Sequence, residues 1–173
     1  MTNSKPLAFL IAFALVGTAA GAEPAADAGG DPILLDRPTL SLSAARAIIG
    51  AAEREAAARG VGVVTVVVDG AGNVIQLSRM DSAQVASVEV GIGKARTAAI
   101  FRRPSRVFEE QVRNGRIAAL ALAGATPLQG GVPVVIGGAV VGAVGVSGDS
   151  PQVDEDIAIA GARALPAEPQ QAK

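Results

Sequence analysis

The sequence predicts an α/β fold of the α+β type, an antiparallel sheet built from two hairpins with helices on both faces. Three observations predict it. Two β-branched runs flank a glycine-bearing turn at residues 63–78, and two more do so at residues 132–146. Segments of helical periodicity lie before, between and after these hairpins. The order is therefore helix, hairpin, helices, hairpin, helix, which layers helices onto a sheet of antiparallel pairs.

The chain opens with a segment outside that pattern. Residues 1–6 are polar and carry Lys5, residues 7–16 are unbroken apolar sequence, and small residues follow to Ala20-Gly21-Ala22 before Glu23. The apolar run is shorter than the roughly 20 residues that a spanning helix needs. The order of the three parts is that of a cleavable secretory signal, residues 1–22. Export to a periplasmic or extracellular compartment is therefore expected. Residues 23–38 are rich in Ala, Gly, Asp and Pro without periodicity and read as a flexible leader. The folded domain is expected over residues 39–166, with a tail over 167–173.

Ser41 is placed to cap a first helix running to Arg59, with Ala45, Ile48, Ile49, Ala52 and Ala56 as its apolar stripe and Gly60 as its stop. Residues 63–68 are nearly all valine, the mark of a strand covered on both faces. Asp69-Gly70-Ala71-Gly72-Asn73 turns the chain into a second strand, residues 74–78. A second helix is predicted over residues 82–101, ending before Pro104, and a short third one over 105–116. Residues 117–122 either continue helical or loop. Gly137-Gly138 turns the second hairpin, and Ser150-Pro151 opens the last helix with a cap and a first-turn proline.

Composition narrows the chemistry. The chain has no His, Cys, Trp or Tyr and a formal charge of −1. Histidine acid/base catalysis, thiol chemistry and zinc sites built on His or Cys are excluded. A nucleic-acid partner is not expected, because the dense basic footprint is missing. The expected mature chain has no second apolar run long enough to span a membrane.

The second helix carries the candidate site. On a helical wheel Val85, Val88, Ile92, Ala95 and Ala99 form a stripe predicted to face the sheet. The opposite side holds Val90, Lys94, Thr97 and Phe101, a mixture that suits a pocket wall or a subunit contact. Gly91 and Gly93 each cost about 1 kcal/mol in a helix relative to Ala, so something approaches closely there, either a packed element or a ligand. Arg79-Met80-Asp81 precedes the helix and Arg102 and Arg103 follow it. Arg79, Lys94 and Arg102 together could hold a carboxylate-bearing ligand, or could pair with Asp81, Glu89, Glu109 and Glu110. No phosphate-loop ending is found, and no nucleotide site is assigned.

The run Ser87-Val-Glu-Val-Gly-Ile-Gly-Lys-Ala-Arg-Thr-Ala-Ala-Ile-Phe-Arg-Arg-Pro104 resembles the signature helix of the GlcG/HbpS heme-binding protein family, to which the C-terminal domain of PduO is related. Val68-Asp69 with Gly72, Arg79-Met80-Asp81, the block 127–133, the block 141–148, and Asp156 with Ile157-Ala158 are similar to further family blocks. The resemblance covers about residues 40–165. It implies the same sheet-and-helix fold, homo-oligomers assembled from dimers, commonly to an octamer, and heme as a cofactor or ligand. In the binding role expected here, Arg79, Lys94 and Arg102 grip carboxylates, Val90 and Phe101 contact the ring, and Asp81 belongs to the same ligand site. The family's axial histidine has no counterpart here. Thr97 and Met80 are the remaining weak candidates toward a metal, Met80 equally suiting a core position. Alternatives are an enzyme acting on heme or a small organic acid, and a structural or signalling oligomer.

Overall fold

The computed structural model describes Ile33 and residues 35–166. The predicted secretory signal, most of the leader and the tail lie outside the described residues. Helix α1, Leu42–Ala58, is capped by Ser41, whose hydroxyl accepts from the Ala44 N–H at 3.2 Å. It buries Ala45, Ile48, Ile49, Ala52 and Ala56, the predicted stripe. Gly60 leaves the helix at a φ of 71°, in the left-handed region that glycine enters without a Cβ clash.

Strands β1 (Val64–Asp69), β2 (Val74–Arg79), β3 (Gly131–Ile136) and β4 (Ala139–Ser147) form one sheet in the order β2-β1-β4-β3, with every pairing antiparallel. The valine-rich β1 is internal and covered on both faces. Val63 and Val67 point into a core with α1 and the last helix, α4 (Pro151–Ala162), while Val64, Val66 and Val68 point toward the second helix. Gly137 and Gly138 both have positive φ, which gives the second hairpin the turn twist its strands require. Pro133 lies on β3, an edge strand, where a missing N–H is tolerated.

Helix α2 spans Ser87–Ile100, later in starting than the sequence predicts. Residues 81–86 instead make turns, with Ala83 N–H donating to Met80 O and Ser87 N–H to Gln84 O. The chain must round the sheet end before it can lie across it. Val85 is consequently 77% exposed and not part of the sheet-facing stripe. The buried side of α2 is Ser87, Gly91, Lys94, Ala95, Thr97, Ala98 and Ala99, and Val88 and Ile92 flank it half-buried. The reason is spacing. A Cβ at Gly145 would collide with Gly91 O and Ala95, and one at Gly131 would collide with Lys94 O, so helix backbone lies directly on strand backbone. Glycine on the strands and Gly91 and Ala95 on the helix leave room for this approach.

Helix α3, Arg106–Arg113, follows and anchors Phe108, whose ring lies 4.9 Å from that of Phe101. A 3₁₀ turn, Ile117–Ala121, leads into the loop before β3.

Candidate functional site

Lys94 is enclosed. Its ammonium donates to Asp154 Oδ2 at 2.7 Å and to Val146 O at 3.0 Å, and the side chain is only 5% exposed. Asp154 comes from the first turn of α4, where a carboxylate also complements the positive helix end. Its second oxygen accepts from the Asp149 N–H at 3.0 Å. Burial pushes the Asp154 carboxyl above the usual aspartate range, and the Lys94 hydrogen bond and charge oppose that push. Gly130, at a φ of 123°, passes so close to the ammonium that any Cβ would press on it. The cation that the sequence offers as a carboxylate grip is thus satisfied by the chain's own carboxylate.

Thr97 is occupied in the same way. Its hydroxyl donates to Gly93 O and accepts from the Thr126 N–H, both at 2.7 Å. The Thr126 side chain rests where a Cβ on Gly93 would be. The middle of the helix face predicted as a pocket wall, at Gly93, Lys94 and Thr97, is covered by Thr126 and Gly130 of the chain's own loop before β3. That loop is fastened further: Ser105 Oγ donates to Leu128 O, the Gln129 N–H donates to Glu109, and the Gln129 side chain donates to Glu155 and Gln152. Arg106 closes the network on the buried Glu155 at 3.3 Å. The close approach that the two glycines predict is therefore packing, by β1 valines at Gly91 and by Thr126 at Gly93.

The remaining candidates divide between the two ends of α2. Arg79 ends β2 and is exposed, and Met80 and Asp81 line a shallow groove with Gly50, Glu53, Arg54 and Ala57 of α1. Met80 also packs against the α1 and α4 core. Phe101 and Arg102 lie past the opposite end of a 14-residue helix, which puts them about 20 Å away at 1.5 Å per residue. One chain therefore does not bring Arg79, Lys94 and Arg102 together on one ligand. Val90 and Phe101 lie three turns apart, with Thr97 and its loop contact between them, so they do not form one contact surface either.

What the fold does assemble is a groove of about 590 Å³ between the two hairpin turns. Asp69, Gly70 and Ala71 line one side, Gly138, Ala139 and Val140 another, and Arg102 and residues 36–39 complete it. Arg102 stands at a φ of 53°, the one positive value at a non-glycine among the described residues. Among the described residues Arg37 and Arg102 make no ion pair. Asp69 spends its acceptors inside its own turn, accepting from Ala71 N–H, Asn73 N–H and Asn73 Nδ2 at 2.9, 2.9 and 3.1 Å. Burial pushes this carboxyl up, yet those hydrogen bonds together outweigh it and hold Asp69 below the ordinary range. Two guanidinium groups thus line a concave surface beside two carboxylates, Asp36 and Asp69, with which they form no ion pair, and their unused donors suit a carboxylate-bearing ligand. Among the described residues no group of three or more His, Cys, Asp or Glu could hold a metal ion. Nor is any helix long and apolar enough to cross a membrane.

The chain is 44% identical over 108 residues to protein GlcG of Escherichia coli K12, covering 62% of this chain and 81% of that protein. A double mutant of HbpS from Streptomyces reticuli superposes with a TM-score of 0.73 at 33% identity, covering 85% of this chain and 99% of the other. A PduOC–heme complex superposes with a TM-score of 0.67 at 27% identity, covering 73% and 95%. Residues 40–163 match the family described as "Haem degrading protein HbpS-like", which includes the whole of α2 and both hairpins; this chain belongs to that HbpS-like family.

Proposed function

We propose that this chain is an exported, homo-oligomeric binding protein for heme or a related tetrapyrrole, held by cationic contacts to carboxylates and by apolar contacts, without histidine ligation. The observation that carries the reading is the family match over residues 40–163, joined by likeness to a relative solved with heme. The residues fit one half of such a ligand. Arg37 and Arg102 can hold its carboxylates, and Pro38, Ala71, Ala139 and Val140 offer apolar contact. They do not fit side-chain ligation of iron, because His, Cys and Tyr are absent from the sequence and the Thr97 hydroxyl is already spent on Gly93 and Thr126. Export is supported by the three-part layout of residues 1–22. Association with further copies is supported by Val85, Ile100, Ile117, Leu120 and Leu128, all large apolar residues left exposed.

Hemin titrated into the purified protein should give a saturable shift of the Soret band, with light scattering reporting a multimer. Absence of any shift at tens of micromolar hemin overturns the binding reading. The family's own description, degradation, favours a second reading in which heme is consumed. Steady loss of the Soret band with formation of an open-chain product, on adding a reductant in air, would select it.

A further inference from the structure

We propose that the groove between the two hairpin turns grips a tetrapyrrole by its carboxylates, through Arg37 and Arg102, and leaves the ring centre without a side-chain ligand, so that metal-free porphyrin binds as well as heme. The inference rests on the function proposed above and adds that recognition is by the ring's carboxylates and edge alone, the metal being dispensable. The groove's volume of about 590 Å³ lies within the range of sites that hold small organic molecules. Its two guanidinium groups come from segments far apart in sequence, the stretch before α1 and the second residue past the end of α2. Neither has an ion-pair partner among the described residues. Two acids, Asp36 and Asp69, line the same groove, and neither forms an ion pair with Arg37 or Arg102. The Asp69 carboxylate is held by the amides of its own turn, which occupy its acceptors but leave its charge in place. Arg102 holds a backbone conformation that glycine would adopt more cheaply, and that places its side chain on the groove wall.

The same inventory leaves the metal with little to contribute. Strong axial donors are missing from the composition. Met80, the one methionine among the described residues, packs beneath α1 at the other end of the sheet. Lys94 is sealed against Asp154. Recognition then comes from the ring's edge and its carboxylates, features that heme and its metal-free parent share.

The test titrates the full chain with hemin by absorbance and with protoporphyrin IX by fluorescence, and repeats both with the dimethyl esters. Wild type should bind the two free acids with Kd values within about threefold of each other. Arg37→Ala, Arg102→Ala and esterification should each weaken both ligands by about tenfold or more, while Arg113→Ala on the surface of α3 changes neither. Hemin binding at least about a hundredfold tighter than protoporphyrin IX overturns the inference, and so do unchanged affinities in Arg37→Ala and Arg102→Ala; both results leave the binding function standing. Binding of neither porphyrin to wild type overturns the function itself. Circular dichroism of each variant separates lost binding from lost folding.

Discussion

Lys94 and Arg102 are eight positions apart, one within α2 and one just past it, and the chain uses these two cations in opposite ways. Lys94 sits where helix backbone lies on strand backbone, excluded from water and closed in by Asp154, Val146 O and Gly130. Arg102 sits where the helix has ended, exposed beside two turns and without an ion pair among the described residues. Burial decides the difference. A buried charge must find its partner inside the molecule, while an exposed one keeps its affinity for something outside it. The closed end of this comparison is architecture; the open end is the surface on which a ligand can act.

The largest test of that division removes the buried cation. Lys94→Met strands Asp154 in a dry site and should cost about 3–5 kcal/mol in urea denaturation at neutral pH. Lys94→Met with Asp154→Leu should regain most of that loss, because a matched apolar pair has no charge left to desolvate. A single variant within about 0.5 kcal/mol of wild type would mean that the pair is open to water, and the contrast with Arg102 would fail.

Much of the fold was legible because its signals are local. Ser41 and Ser150 cap, Gly60 stops a helix, Gly137-Gly138 turns a hairpin, and each needs only its neighbours. The facing of α2 was legible in part: Val88, Ile92, Ala95 and Ala99 do pack toward the β1 valines, whereas Val85 is exposed and Lys94 and Thr97, read as the opposite side, are buried as well. The wheel does not show that the helix buries a second side as well, where its backbone lies on Gly131 and Gly145. The Lys94–Asp154 pair joins positions 60 residues apart, and a sequence does not show which acid a buried cation meets. One signal was available. Lys94 is the single lysine among the described residues, set in a helix stripe of Gly and Ala, while every other cation there is arginine. Arg37 left no signal, because the aperiodic stretch 23–38 hides that its last residues run past the hairpin turns.

A smaller effect sharpens the boundary of the groove. Asp69 titrates below its ordinary value, so its contribution is complete above the unfolded-state pKa of about 3.9 and disappears as pH falls through the lower folded value. Asp154 has the opposite sign. Its folded pKa is raised, so its charge costs stability once pH rises through that window. Asp69→Asn keeps an acceptor for the turn and removes the titration. It should cost under about 1 kcal/mol at pH 7, since the turn is solvated, and should flatten the loss of stability below about pH 4. An acid limb identical to wild type would assign that sensitivity to other carboxylates.

The smallest expected change has the reverse sign. At a φ of 53° the Arg102 backbone is in the left-handed region, where a residue with a Cβ is disfavoured by about 1 kcal/mol relative to glycine. Arg102→Gly removes that strain but gives the unfolded chain more freedom, so the net gain should be about 0.5 kcal/mol or less. Porphyrin affinity should fall in the same variant, because the guanidinium leaves the groove wall. Stability rising while binding falls is the pattern of a strained residue kept for its ligand. If Arg102→Gly instead destabilises the chain by about 1 kcal/mol or more, the side chain holds the two hairpin turns together, and the open end of α2 is architecture like the closed one.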